Sequence, residues 1–154
     1  MILIEQVEQY GYKLVQDIPE LKKFLLVLDD SQLTKFMSKI SIDDNLILVG
    51  FIPSHETTGT NVDNVQNRDN MLWMVLNKVN RGDGMEAFVD SFKKCQLAAK
   101  EVEKQMLEDK PRFGNGQCTL MKQLEVASIK IDPVWALAGC DGYEINYSLL
   151  TPII

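Results

Sequence analysis

With 154 residues, 45% of them hydrophobic and 25% charged, the chain has the composition of one folded domain and excludes intrinsic disorder. Its formal charge of -6 repels nucleic acid and anionic lipid, and its three scattered arginines, Arg68, Arg81 and Arg112, form no phosphate-binding cluster. Cys95, Cys118 and Cys140 lie far apart with no CxxC pair, so they read as free thiols of a reducing compartment, with no zinc or redox cofactor expected.

The first acidic residue, Glu5, comes too early for a secretory core, and no apolar run approaches the length of a membrane span, so a protein made in the cytoplasm is expected. Residues 3 to 16 place Val7, Tyr10 and Leu14 at helical spacing, against which Gly11 counts. In "DIPELKKFLLVLDD", Pro19 fits the first turn of a helix, yet the apolar run is short enough for a strand. A strand over Phe24 to Leu28 is the reading adopted. A turn at Asp29 and Asp30 follows, then a short helix or second strand carrying Leu33, Phe36, Met37 and Ile40.

"DDNLILVGFIP" predicts a strand from Leu46 to Ile52, stopped by Pro53, and "NMLWMVLNKV" predicts another. Both are apolar on both faces, which requires cover on each side by helices or by a neighbouring subunit. After the turn "NRGDG", Met85, Phe88, Val89, Phe92, Cys95, Ala99, Val102 and Met106 recur every three or four residues and predict a long amphipathic helix that ends before Pro111. "PRFGNGQ" reads as a flexible connection. Leu124 to Ile131 reads as a strand ended by Asp132 and Pro133. "GCDGY" supplies turn chemistry, and the alternation of Tyr143, Ile145, Tyr147 and Leu149 with polar residues predicts a half-buried strand. The expected fold class is α+β: one domain over residues 1 to 154, with an antiparallel sheet, a long amphipathic helix packed on it and a shorter N-terminal helix.

Few residues invite chemistry. His55 is the only histidine, the residue type that changes charge near neutral pH, and "PSHE" sets Ser54 and Glu56 beside it. Neighbours in an extended segment point in opposite directions, and no second histidine is present to complete a metal site. A small hydrolase-like enzyme using His55 with Glu56 or Cys118 is therefore the alternative to a non-catalytic reading. "RFGNGQC" lacks the lysine-serine pair of a P-loop. No catalytic, cofactor or metal-ligating residue is assigned.

The two apolar runs are separated by eighteen residues, Pro53 to Asn70, of which only Val62 and Val65 are aliphatic. Connections of this length without secondary structure are uncommon in compact domains and are often functional. The expectation is an antiparallel hairpin whose polar tip projects as an arm toward a partner. Its candidate contacts are His55, Glu56, Thr57, Thr58, Asn61, Asp63, Asn64, Gln66 and Arg68, with Trp135 as an interface aromatic. An accessory binding module whose loop folds on its partner is the other possibility.

The order "DIPELKKF", "LILVGFIPSHETTG", a long polar connection, "NMLWMVLNKVN", "FVDSFKKCQLAAKEVEKQM" and "IDPVWALAGCDGYEINYSLLTPI" resembles the small α+β neck and tail-terminator (tail completion) proteins of tailed bacteriophages and related contractile tails. The likeness covers most of the chain and lies in element order and in the closing glycine-aromatic strand. It implies a structural, non-enzymatic protein of the virion, assembled in the bacterial host cytoplasm. Its partners would be further copies of itself, in a ring typically of six, and other tail or neck proteins.

Overall fold

A computed structural model of the chain describes residues 1–80, 82–110 and 120–153. The elements run α1 (Ile4–Asp17), β1 (Lys23–Val27), α2 (Asp30–Met37), β2 (Ile47–Phe51), β3 (Ser54–Thr58), β4 (Gln66–Lys78), α3 (Gly84–Asp109), β5 (Lys130–Leu137) and β6 (Cys140–Pro152). The strands form one six-stranded sheet in the order β1-β2-β4-β6-β5, with β3 also paired to β4. All pairings are antiparallel except β1 with β2, which is parallel because α2 carries the chain back across between them. The α+β expectation holds, with this one parallel pair as its departure.

Both faces of the central strands are covered within the chain. On one face α1, through Val7, Tyr10 and Leu14, and α3, through Cys95, Ala98, Ala99, Val102 and Met106, pack on Leu48, Trp73, Val75, Ile145, Tyr147 and Leu149. On the other, α2 sets Leu33 and Met37 against Val27, Ile47, Val49, Met74 and Leu76. The doubly apolar pattern of β2 and β4 therefore needs no neighbouring subunit. The short α2 segment left open as helix or strand is a helix because Asp29 caps it, accepting from the Gln32 N–H at 2.9 Å. Lys78 holds its far end, donating to the carbonyls of Met37 at 2.8 Å and of Ile40.

Trp73 is fully buried at the centre of the larger core and donates from Nε1 to the Tyr147 hydroxyl at 2.5 Å, so its one polar atom is satisfied. Tyr10 and Phe24 each lie 6.1 Å from it, ring centre to ring centre. Gly11, which argued against a helix from sequence, is required inside this one. A Cβ there would stand 2.3 Å from the Phe24 ring, so the missing side chain is what lets α1 approach β1.

Two sequence expectations near the C-terminus fail. Leu124 to Ile131, which follows a 3₁₀ turn at Met121–Gln123, holds a second such turn at Val126–Ser128, and the strand begins only at Lys130. Pro133 does not end that strand, because β5 is an edge strand and a missing N–H costs nothing on its outer side. The β5–β6 turn is Ala138 and Gly139, with φ of 52° and 78°, while Asp141 and Gly142 of "GCDGY" already belong to β6. The connection "PRFGNGQ" and Cys118 lie outside the described residues.

Candidate functional site

The segment 53–70 is not a structureless loop. Ser54–Thr58 is strand β3, paired residue for residue with the start of β4 from Ser54 opposite Asn70 to Thr58 opposite Gln66. Between Gly50 opposite Trp73 and Ser54 opposite Asn70 one strand takes four steps and the other three, so β2 and β3 are one strand interrupted by a bulge at Ile52 and Pro53. Sequence periodicity misses it because its side chains are polar on both faces, leaving no apolar alternation to detect. Beyond Val27, whose carbonyl accepts from the Ile52 N–H at 2.8 Å, the outer edge of β3 pairs with no strand among the described residues. The far side of β4 pairs with β6 along its whole length, so the arm is a three-stranded extension of the sheet.

Only the arm's tip is a turn. Asn61 accepts from the Asp63 N–H at 3.1 Å and starts a single 3₁₀ turn over Val62–Asn64, and the Asn64 N–H returns to the Asn61 carbonyl at 3.1 Å. Gly59 makes the close approach possible. It sits at φ 141°, and a Cβ on it would stand 2.1 Å from the Asn64 carbonyl oxygen.

Of the proposed contact residues, Glu56 and Arg68 face each other across β3 and β4, with Arg68 Nη1 3.6 Å from Glu56 Oε1 and Nε 3.4 Å from Glu125 Oε2. Thr57 lies opposite Asn67. His55 lies opposite Asp69, and a short hydrogen bond joins its Nδ1 to Asp69 Oδ1. The Thr151 hydroxyl donates to Asp69 Oδ2 at 3.3 Å. Asp69 is fully buried, so its carboxylate depends on these partners. Sequence reasoning did not find Asp69, since a residue read as part of a loop has no register and so no cross-strand neighbour.

His55 and Glu56 fall on opposite faces of β3 and do not form one site. Among the described residues Asp69 is the only side chain hydrogen-bonded to His55. A histidine bonded to a buried carboxylate is the orienting half of a nucleophilic triad, but among the described residues no hydroxyl or thiol is hydrogen-bonded to the imidazole. Cys95 is buried and its thiol is pushed up to about 12, first by burial and then by Asp141 and Cys140, which leaves it protonated and unreactive. Among the described residues no group of three or more His, Cys, Asp and Glu side chains could hold a metal ion, and no helix is long and apolar enough to cross a membrane.

The opposite end of β4 opens onto a cleft of about 1000 Å³. Its walls are the first turns of α3, the segment around Ile42 to Leu46, and Trp135. The apolar stripe read along α3 is buried only from Ser91 onward. Met85, Phe88 and Val89, in the first turns of the helix, lie exposed. Trp135 is 68% exposed on the bulged part of β5, where Val134 and Leu137 fall out of simple register. Ala136, at φ 57°, donates its N–H to Asp141 Oδ1 at 2.9 Å, fixing that bulge. An exposed apolar cluster of this kind is the usual mark of an interaction surface.

Comparison of the chain with protein-family models, with curated proteins and with solved structures finds no match.

Proposed function

We propose that the chain is a structural, ring-forming assembly protein of a phage or phage-like tail, acting at the neck or as a tail terminator, and not as an enzyme. The observation that carries the reading is the exposed apolar cleft. Met85, Phe88, Leu97 and Ile42 flank Trp135 on a surface that stays largely exposed among the described residues, whereas both faces of the central strands are covered. Aromatic and aliphatic side chains grouped around a concavity favour a protein partner. The ordered arm supports the same reading, since a hydrogen-bonded extension of the sheet presents its side chains at fixed positions and costs little entropy on docking. In this reading His55 holds the arm through Asp69.

The test is the mass in solution. Light scattering at high concentration should give an assembly several times the 17.5 kDa chain, and negative-stain electron microscopy should show annular particles. A strict monomer overturns the proposal.

A further inference from the structure

The exposed indole of the assembly surface stands on irregular backbone. Val134 lies opposite Gly142 and Leu137 opposite Cys140, so two residues of β5, Trp135 and Ala136, face a single residue of β6, Asp141. An extra residue in one strand bends it and re-aims its side chains. Here the bend also holds a crowded conformation: Ala136 and Ala138 sit at φ of 57° and 52°, where a Cβ is disfavoured. Such residues persist only where their surroundings over-determine them, and they concentrate at functional sites.

Asp141 supplies that hold. It is buried, and its Oδ1 accepts from the Ala136 N–H at 2.9 Å. Its own carbonyl accepts from Cys95 Sγ of α3 at 3.7 Å. Asn77, opposite Asp141 in the ladder, donates from Nδ2 to Ser91 Oγ of the same helix at 2.6 Å. Next to them Gly142 lets β6 lie close on β4, since a Cβ there would stand 1.9 Å from the Val75 carbonyl oxygen. The base of the bulge is therefore tied to α3, whose first turns form the facing wall of the cleft. We propose that Asp141 is the positioning residue for Trp135, locking the bulge so that the indole is presented at a set place relative to Met85 and Phe88. This rests on the assembly reading above and names the residue that prepares its aromatic anchor. At 1% exposure Asp141 offers almost no surface of its own to a partner and acts through Trp135. A large aromatic on a fixed backbone loses little freedom on docking, whereas one on a loose hairpin end must be ordered first.

The test follows Trp135 and assembly separately, in the full chain. Trp73 is the other of the two tryptophans and is fully buried, so fast depolarisation of tryptophan fluorescence in dilute solution reports Trp135, with Trp135→Phe as the baseline. In Asp141→Ala the fast component should at least double in amplitude, and association by analytical ultracentrifugation should weaken at least fivefold. Should that variant lose the fold, Asp141→Ser, too short to reach the Ala136 N–H, takes its place. Asp141→Asn keeps the Oδ1 acceptor and should stay within twofold of the unsubstituted protein in both measurements. Adding Ala136→Gly to Asp141→Ala removes the backbone crowding, so it should recover the unfolding midpoint but neither the fixed indole nor the association. Recovery of all three together assigns Asp141 a structural role only and overturns the proposal. An unchanged fast component in Asp141→Ala, an Asp141→Asn variant as mobile as Asp141→Ala, or full association despite a freed indole overturns it as well. In those cases assembly of the unsubstituted chain leaves the reading above standing. An unsubstituted chain that remains a monomer overturns that reading and, with it, the role of Asp141 in assembly.

Discussion

The long hairpin of β2, β3 and β4 contains two regions with the same backbone ladder and opposite chemistry. In the inner half, Ile47 to Gly50 opposite Leu76 to Trp73, both faces are buried and dispersion and water exclusion hold the strands. In the outer half, Ser54 to Thr58 opposite Asn70 to Gln66, the side chains of β3 are mostly in water, and specific polar pairs hold the strands. A strand pair thus continues beyond its core once cross-strand pairs such as His55 with Asp69 and Glu56 with Arg68 fix the register.

The inner half is the more sensitive of the two. Trp73→Ala removes the largest buried side chain together with its hydrogen bond to the Tyr147 hydroxyl, at a cost of ~3–5 kcal/mol. Chemical denaturation should show a large fall in midpoint across the whole molecule. In the arm, His55→Ala takes a partner from the buried Asp69 carboxylate and should cost ~1–3 kcal/mol. Amide exchange should speed up chiefly in residues 54–70, and adding Asp69→Asn should restore part of the loss. An effect spread evenly over the sheet would mean that the two halves are not separable.

Smaller effects test the tip and the surface. Gly59→Ala should cost ~1–2 kcal/mol by forcing a side chain into a backbone conformation and a space that exclude it, again with exchange localised to the arm. The smallest effect lies at the contact of α1 with α3, where Lys13 reaches Asp17 at 2.8 Å and Asp109 at 2.9 Å. Burial lowers the Lys13 pKa, but hydrogen bonds and charge from Asp17 and Asp109 outweigh it and leave it raised above 10.5. The folded state thus holds this proton more tightly than the unfolded state. Its contribution is present below pH 10.5 and is lost as the pH rises through the folded value. The pair is partly exposed, so that contribution is ~0.2–1 kcal/mol, and Lys13→Met should flatten the alkaline limb of the stability profile by that amount.

Helices α1 and α3 and the inner strands were legible in the sequence, because residues such as Val7, Leu14, Val49 and Val102 repeat at the period of their element and all are buried. That residues 53–70 turn back as an antiparallel hairpin was legible, but not that Ser54–Thr58 is strand, since "SHETT" has no apolar face. The candidate site was legible only in part. Trp135 stands out as an interface aromatic, whereas Met85 and Phe88 belong to the apolar stripe of α3, and an apolar stripe does not say where its cover ends.

By itself the sequence determined the class of fold, the long amphipathic helix and the polar character of the segment after Pro53, since these follow from local periodicity and from the residue types that stop strands and helices. Only the tertiary structure decided that β1 and β2 run parallel, that α2 covers the second face, and that His55 meets Asp69. It also left the first turns of α3 uncovered. These depend on register and on which element stops short of which, relations between residues distant in the chain that no local pattern encodes.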